Sequence, residues 1–245
     1  MSDPTRTSQS TRHATGPAGA AARTPAAAVA PAIRRPRVAA FRILITLAAL
    51  TGLLLEALST PAAAPAHLLA SFTVQANIAV ALVSLCSAHR AWTGRSPVSP
   101  RITGALLSFL TLTALLHHAL PAADSTAFTL PAGTGPTTTA RAISHQLLHA
   151  VTPLAALADW LLLTTPRGFR LPHAWQWPAY PLLYLSFTLA FPAATGAPSP
   201  TLTTALTLAL AICLLPLITI AIDQVRPSPL LRNNRISPTG IGPLK

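Results

Sequence analysis

Residues 34–58 read RRPRVAAFRILITLAALTGLLLEAL: arginine at 34, 35, 37 and 42, an uncharged stretch from 43 to 55, then Glu56. The apolar run over 38–58 has the ~20 residues that a helix needs to cross a ~30 Å hydrocarbon layer. The arginines ahead of it mark its cytoplasmic end, because short cytoplasmic loops carry the excess of Lys and Arg. Five further runs of the same kind lie at 68–89, 102–121, 143–165, 175–194 and 202–223. With the N-terminus inside, 16 of the 17 basic residues fall on the cytoplasmic side: Arg90, Arg95 and Arg101 in the second loop, Arg167 and Arg170 in the fourth, and Arg226, Arg232, Arg235 and Lys245 in the tail. The outer loops, near 59–67, 122–142 and 195–201, hold Arg141 alone. The expectation is all-α: a six-helix transmembrane bundle with N- and C-termini cytoplasmic, multi-pass in the plasma membrane.

Composition agrees. The 245 residues are 51% hydrophobic and 9% charged, with a mean hydropathy of +0.51. That excludes a soluble core of sheets and helices. A net charge of +12 raises nucleic acid as a partner, but the arginines sit at helix ends, where topology and anionic headgroups account for them. No basic stripe interleaved with aromatics is present, so no nucleic-acid partner is expected. The excess of arginine over lysine, with abundant Ala, Thr and Pro, fits a GC-rich bacterial coding sequence. Cys86 and Cys213 fall inside apolar runs and read as small packers rather than a disulfide or metal pair.

The chain divides into an arm at 1–33 without apolar periodicity, read as disordered, a membrane domain over 34–225, and a proline-containing tail at 226–245. The first run is longer than the 7–15 residues of a secretory signal core, so it reads as an uncleaved helix. Trp175, Trp177 and Tyr180 stand at the level of an interfacial aromatic belt.

Polar residues inside the spans are concentrated toward the outer surface. The second and fourth spans both run inward. Thr73 and His149 each lie ~7–9 Å below the outer ends of those spans at ~1.5 Å per residue. Asn77 follows Thr73 by one turn on the same face, and His145 precedes His149 likewise. The third span ends outward at His117-His118 and the first at Glu56. Ionisable groups at bilayer depth face the bundle interior or a wet cavity, which predicts an outward-facing polar pocket. Asp159 lies toward the inner side, ~15 Å beyond His149 along the axis, too far to orient that imidazole directly, and counts as a supporting residue of the pocket. Pro153 cannot donate to the carbonyl of His149, which predicts a local distortion beside that histidine.

The strings Phe72-Thr73-Val74-Gln75-Ala76-Asn77, His149-Ala150-Val151-Thr152-Pro153, Asp159-Trp160 and Trp177-Pro178-Ala179-Tyr180-Pro181 resemble, in that order, the bacterial six-helix Pr6Pr membrane proteins. Those are distantly similar to the eukaryotic androgen-induced-protein family. The resemblance covers about residues 40–223 and departs at Thr195-Gly196-Ala197-Pro198. It implies an intramembrane hydrolase of fatty-acyl esters, with Thr73 as nucleophile and His149 as base, membrane lipids as surroundings and no cofactor.

Read from the residues, Thr73–His149 chemistry needs the imidazole to take the hydroxyl proton. Asn77 is a candidate oxyanion donor, and His145 or Glu56 could hold the His149 tautomer. Other readings stand beside this one. Thr73 could simply bond a backbone carbonyl. His145 and His149, with His117 or His118 and Glu56, have the spacing of a metal or haem shell. A transporter, sensor or scaffold needs no chemistry at all. No nucleophile elbow, phosphate loop or dinucleotide fingerprint is present.

Overall fold

The computed structural model describes residues 33–59, 65–119, 128, 139–192 and 200–227, those of 65–67 by their backbone alone. The expected disordered arm, apart from residue 33, and the tail beyond 227 lie outside the described residues, as does most of the long outer loop. Among the described residues every regular element is helical: α1 (Pro36–Ser59), α2 (Pro65–Ala70), α3 (Phe72–Thr93), α4 (Pro100–Ala119), α5 (Thr139–Leu163), α6 (His173–Gln176), α7 (Ala179–Ala190) and α8 (Leu202–Val225). Five of them, α1, α3, α4, α5 and α8, are long and apolar enough to cross a membrane. The chain is a multi-pass membrane protein.

The expected span at 175–194 is built differently. Its described part is two helices, α6 and α7, with a turn at Trp177-Pro178 between them. The 12 residues of α7 rise about 18 Å, short of the hydrocarbon layer on their own. Pro178 and Pro181 carry no N–H, so the helical ladder is weakest there.

Each long helix buries a stripe of small and polar residues and turns its leucines outward. On α1 the buried set is Ala39, Ile45, Thr46, Ala49, Gly52 and Glu56, while Leu47, Leu50, Leu54 and Leu58 are exposed on the lipid side. Lipid tails are as apolar as leucine, so spans associate through close packing and interhelical hydrogen bonds. Gly52 shows how close: a Cβ there would come within 2.7 Å of Leu148. Cys86 and Cys213 are both free and exposed, on the surfaces of α3 and α8.

One end of the bundle is tied by charge. Arg42 Nε donates to Asp159 at 3.0 and 3.2 Å, joining α1 to α5. Buried Asp223 accepts from Trp160 Nε1 at 3.3 Å and from the Phe169 N–H at 2.9 Å. Arg226 Nη2 completes that group 3.4 Å from Asp223. The loop after α5 is thereby anchored to α8. In the same loop, His173 Nδ1 accepts from the Arg170 N–H at 3.1 Å, which only an unprotonated nitrogen can do. Burial first, then the charges of Arg101 and Arg170, holds His173 below its ordinary 6.5, in keeping with that acceptor role.

Gly104 on α4 seats this corner. A Cβ there would lie 2.2 Å from the Trp177 ring and 2.9 Å from Phe169. Trp177 is buried and packed edge-on against Phe169 at 5.0 Å, so it has little room to move. Gly104→Ala is expected to lower stability by about 1–3 kcal/mol, the usual range for overpacking. Thermal unfolding of the purified variant in detergent checks this; an unchanged midpoint would mean the corner is looser than its contacts indicate.

Candidate functional site

The register of α1 against its neighbours fixes where the polar residues meet. Going down α3, the Arg35 N–H donates to Ala91 O at 2.9 Å and Thr46 Oγ1 to Ala81 O at 3.4 Å. Continued upward, that antiparallel register sets Thr73 beside Leu53–Leu54 of α1. Down α5, Ser144 Oγ donates to Gly52 O at 2.9 Å and Arg42 pairs with Asp159, which brackets His149 between Leu47 and Gly52. Thr73 and His149 therefore stand between about two and six residues apart along α1, ~3–9 Å of helix rise. Val74 and Leu148, their immediate neighbours in sequence, share one apolar cluster with Leu53 and Leu68.

The two residues share a neighbourhood along α1, but the helix starts that set their depths are not those expected. The second span does not run straight from 68. The chain breaks at Ser71, whose φ of −67° and ψ of 130° are extended, and Thr73 falls in the first turn of α3. The fourth span begins at Thr139, four residues earlier than expected, which carries His149 further from its outer end.

Around His149 α5 widens into a π-helical turn, Leu147–Val151, whose hallmark is the Thr152 N–H donating to Leu147 O five residues back. This is the distortion expected from Pro153: with no N–H at 153 to hold the His149 carbonyl, the turn opens. The His149 ring lies parallel to His117 of α4, centroids 4.1 Å apart and planes 7° off. It is 1% exposed, and neither ring nitrogen has a hydrogen-bond partner; the Thr113 backbone is close by but outside bonding geometry. His145 stands 5.9 Å away, centroid to centroid, and His118 packs on His117 at 5.1 Å.

Glu56 is 1% exposed and gathers α5 onto α1. Ser144 Oγ donates to it at 2.9 Å, and Arg141 Nη2 and His145 Nε2 lie 3.7 Å from its two oxygens. Arg141, set apart from the other basic residues in the sequence reading, is therefore a counter-ion of a buried carboxylate. Glu56, His117, His118, His145 and His149 do assemble at one end of the bundle, with Glu56 and His149 buried, His117 and His145 half-buried and His118 exposed. An outward-open polar pocket is not seen among the described residues. Nor is any group of three or more His, Cys, Asp or Glu placed to hold a metal ion among them. Asp159, expected to support the pocket, is engaged by Arg42 at the opposite end of α5.

Thr73 is wholly buried. Its hydroxyl donates to Phe128 O at 2.6 Å, not to His149, and no hydrogen bond joins the two. Phe128 is the described residue of the long outer loop. It lies 1% exposed between Phe72 at 4.9 Å and Tyr184 at 4.9 Å. Sequence reasoning passed it over, although an isolated Phe in a Thr-, Gly- and Pro-rich loop was the available signal. Tyr184 was missed too: its hydroxyl donates to Ala70 O at 2.7 Å, closing the end of α2. Asn77 Nδ2 donates to Thr73 O at 2.9 Å and its Oδ1 has no partner, so the amide braces the threonine's backbone rather than facing it as an oxyanion donor.

Phe109 packs against Phe72 at 5.6 Å and also borders a small apolar cleft with Leu112, Trp177 and Pro216, between α4, α6–α7 and α8. Compared with known proteins, the chain matches no family model, no curated protein and no solved structure. Its reading rests on its own residues.

Proposed function

We propose that this protein is an intramembrane ester hydrolase acting on fatty-acyl esters in the outer leaflet, as the resemblance to the Pr6Pr and androgen-induced families implies. Thr73 is the nucleophile and His149 the general base. The observation that carries the proposal is His149 itself. An imidazole buried with both nitrogens unpartnered costs about 1–3 kcal/mol for each missing bond. A purely structural position would be served as well by phenylalanine, so the nitrogens point to chemistry. The apolar cluster shared by Val74 and Leu148, the sequence neighbours of Thr73 and His149, supports the pairing.

In the reaction His149 takes the Thr73 hydroxyl proton as Oγ1 bonds to the acyl carbon, and the carbonyl π pair moves onto oxygen. Collapse expels the alcohol oxygen, which takes the proton from His149. Water then attacks the acyl-threonine, His149 receives its proton, and Thr73 leaves with that proton restored. The hydroxyl must first release the Phe128 carbonyl, so the described arrangement is the closed one.

That same 2.6 Å bond favours one alternative, a non-enzymatic scaffold or sensor in which Thr73 pins the outer loop. Labelling of the purified protein with a long-chain fluorophosphonate separates the two. Strong labelling of the native chain, lost in both Thr73→Ala and His149→Ala, supports the hydrolase. Equal labelling of all three, or none, would leave the scaffold.

The proposal also takes α6–α7 with the following residues as a sixth crossing and both chain ends as cytoplasmic. In a chain carrying Cys86→Ala and Cys213→Ala, Thr134→Cys should react with an impermeant maleimide on whole cells. Ser228→Cys should react only after permeabilisation. Reaction of both from outside would mean five crossings.

A further inference from the structure

We infer that the start of α3, completed by the Ser71 hydroxyl, is the oxyanion site of this centre: it holds the acyl carbonyl oxygen as charge develops and the carboxylate of the released fatty acid. The inference rests on the ester-hydrolase reading for its catalytic half.

Ser71 occupies the N-cap position of α3, where a serine ordinarily accepts from an N–H of the first turn. Here it makes no such bond. Its Oγ has no partner at all, although the residue is only 5% exposed. A buried hydroxyl released from capping has its proton available to a ligand oxygen. The N–H groups of Phe72, Thr73 and Val74 lie in the opening turn, where no intrahelical carbonyl precedes them. The helix dipole adds partial positive charge at the same end. α3 runs for 22 residues, long enough for that dipole to develop.

A further observation is that an oxygen already docks here. The Phe128 carbonyl accepts from the Thr73 side chain, which brings a carbonyl oxygen to the first turn of α3 while leaving the Ser71 hydroxyl unengaged. Phe72, Phe128 and Tyr184 wall the spot, with ring centroids 4.9–5.2 Å apart. A low-dielectric wall makes fixed donors count for more against a developing charge. Asn77, the donor expected from the sequence, is turned to its own helix; Ser71 is the hydroxyl that remains.

The test uses the full chain in detergent, with a long-chain 4-nitrophenyl ester for turnover and radiolabelled oleate and oleyl alcohol for binding. Ser71→Ala should lower kcat by about 10²–10³-fold, as loss of an oxyanion donor does elsewhere, with KM unchanged. Oleate affinity should fall at least ~10-fold while oleyl alcohol binding holds, and Ser71→Thr should restore both. The melting temperature should not move, because the hydroxyl caps nothing; should the alanine variant fail to fold, Ser71→Gly reports the same quantities. Unchanged kcat and unchanged oleate affinity in a chain whose turnover depends on Thr73 would overturn the oxyanion site and leave the hydrolase intact. Wild-type protein that binds oleate no better than oleyl alcohol would also overturn it. If turnover survives Thr73→Ala, the hydrolase reading falls, yet oleate preference abolished by Ser71→Ala would still uphold the anion site.

Discussion

His149→Phe is expected to abolish ester turnover while leaving the protein as stable as the native chain, or more so. The two effects separate because of how the ring is held. It stacks on His117 at 4.1 Å, and a phenyl ring keeps that contact. Its nitrogens bond to nothing, so replacing them with carbon removes buried polar atoms without orphaning a partner, which is neutral or favourable. Loss of a general base costs about 10²–10⁴-fold in rate. Thr73→Ala removes the nucleophile and should cost more, on the order of 10⁶-fold where a nucleophile has been deleted in a triad enzyme. Turnover of a long-chain ester and thermal unfolding, measured on the same preparations, check both halves. Activity retained in His149→Phe would end the assignment of the base. A large loss of stability would mean that an imidazole nitrogen is held by a group the geometry does not reveal.

Much of the fold was legible because each long span writes its own length in uncharged residues. Helix ends were less so. The second span was expected from 68, yet Ser71 interrupts it, and no Gly or Pro stands at that point to announce the break; Pro65, opening α2, was the only local sign. At the fifth span the difficulty was the opposite one. Trp177-Pro178 and Pro181 were visible, but apolar content over 175–194 outweighed the interruption they impose. Within the site, Pro153 did foretell that the helix would be disturbed at His149, since a missing N–H has a fixed consequence four residues back, although a kink was expected and a π-helical turn is found. Periodicity could not show which partner a polar atom takes. Asn77 and Thr73 were correctly placed on one face, but that same spacing let the amide reach the Thr73 carbonyl instead of a ligand. Glu56 and Arg141 were each notable alone, the acid at an outer helix end and the base on the wrong side. Their pairing depends on α1 and α5 being neighbours, and sequence order does not reveal that.

That pairing sets the second large effect, expected in stability. Glu56→Ala should cost about 3–5 kcal/mol, the range for removing one member of a buried charge pair. The carboxylate accepts from Ser144 at 2.9 Å and faces Arg141 and His145 at 3.7 Å. Without it Arg141 and Ser144 lose an acceptor on α1. Glu56→Leu with Arg141→Leu should recover much of the loss, because exchanging a whole buried pair for apolar residues is often neutral. Denaturant unfolding of the two single variants and the double gives the coupling directly, expected at 0.5–3 kcal/mol for residues in one network. Strict additivity would mean that Arg141 is satisfied elsewhere and that Ser144 alone holds α5 to α1. The outcome bears on function as well. His145 and His149 ride on the same helix as Ser144, so a loosened Glu56 contact lets the imidazole drift from the level of Thr73. An active but unstable Glu56→Ala protein would show that π-turn geometry alone keeps His149 in place; an inactive one restored by the double leucine variant would show that the α1–α5 contact does.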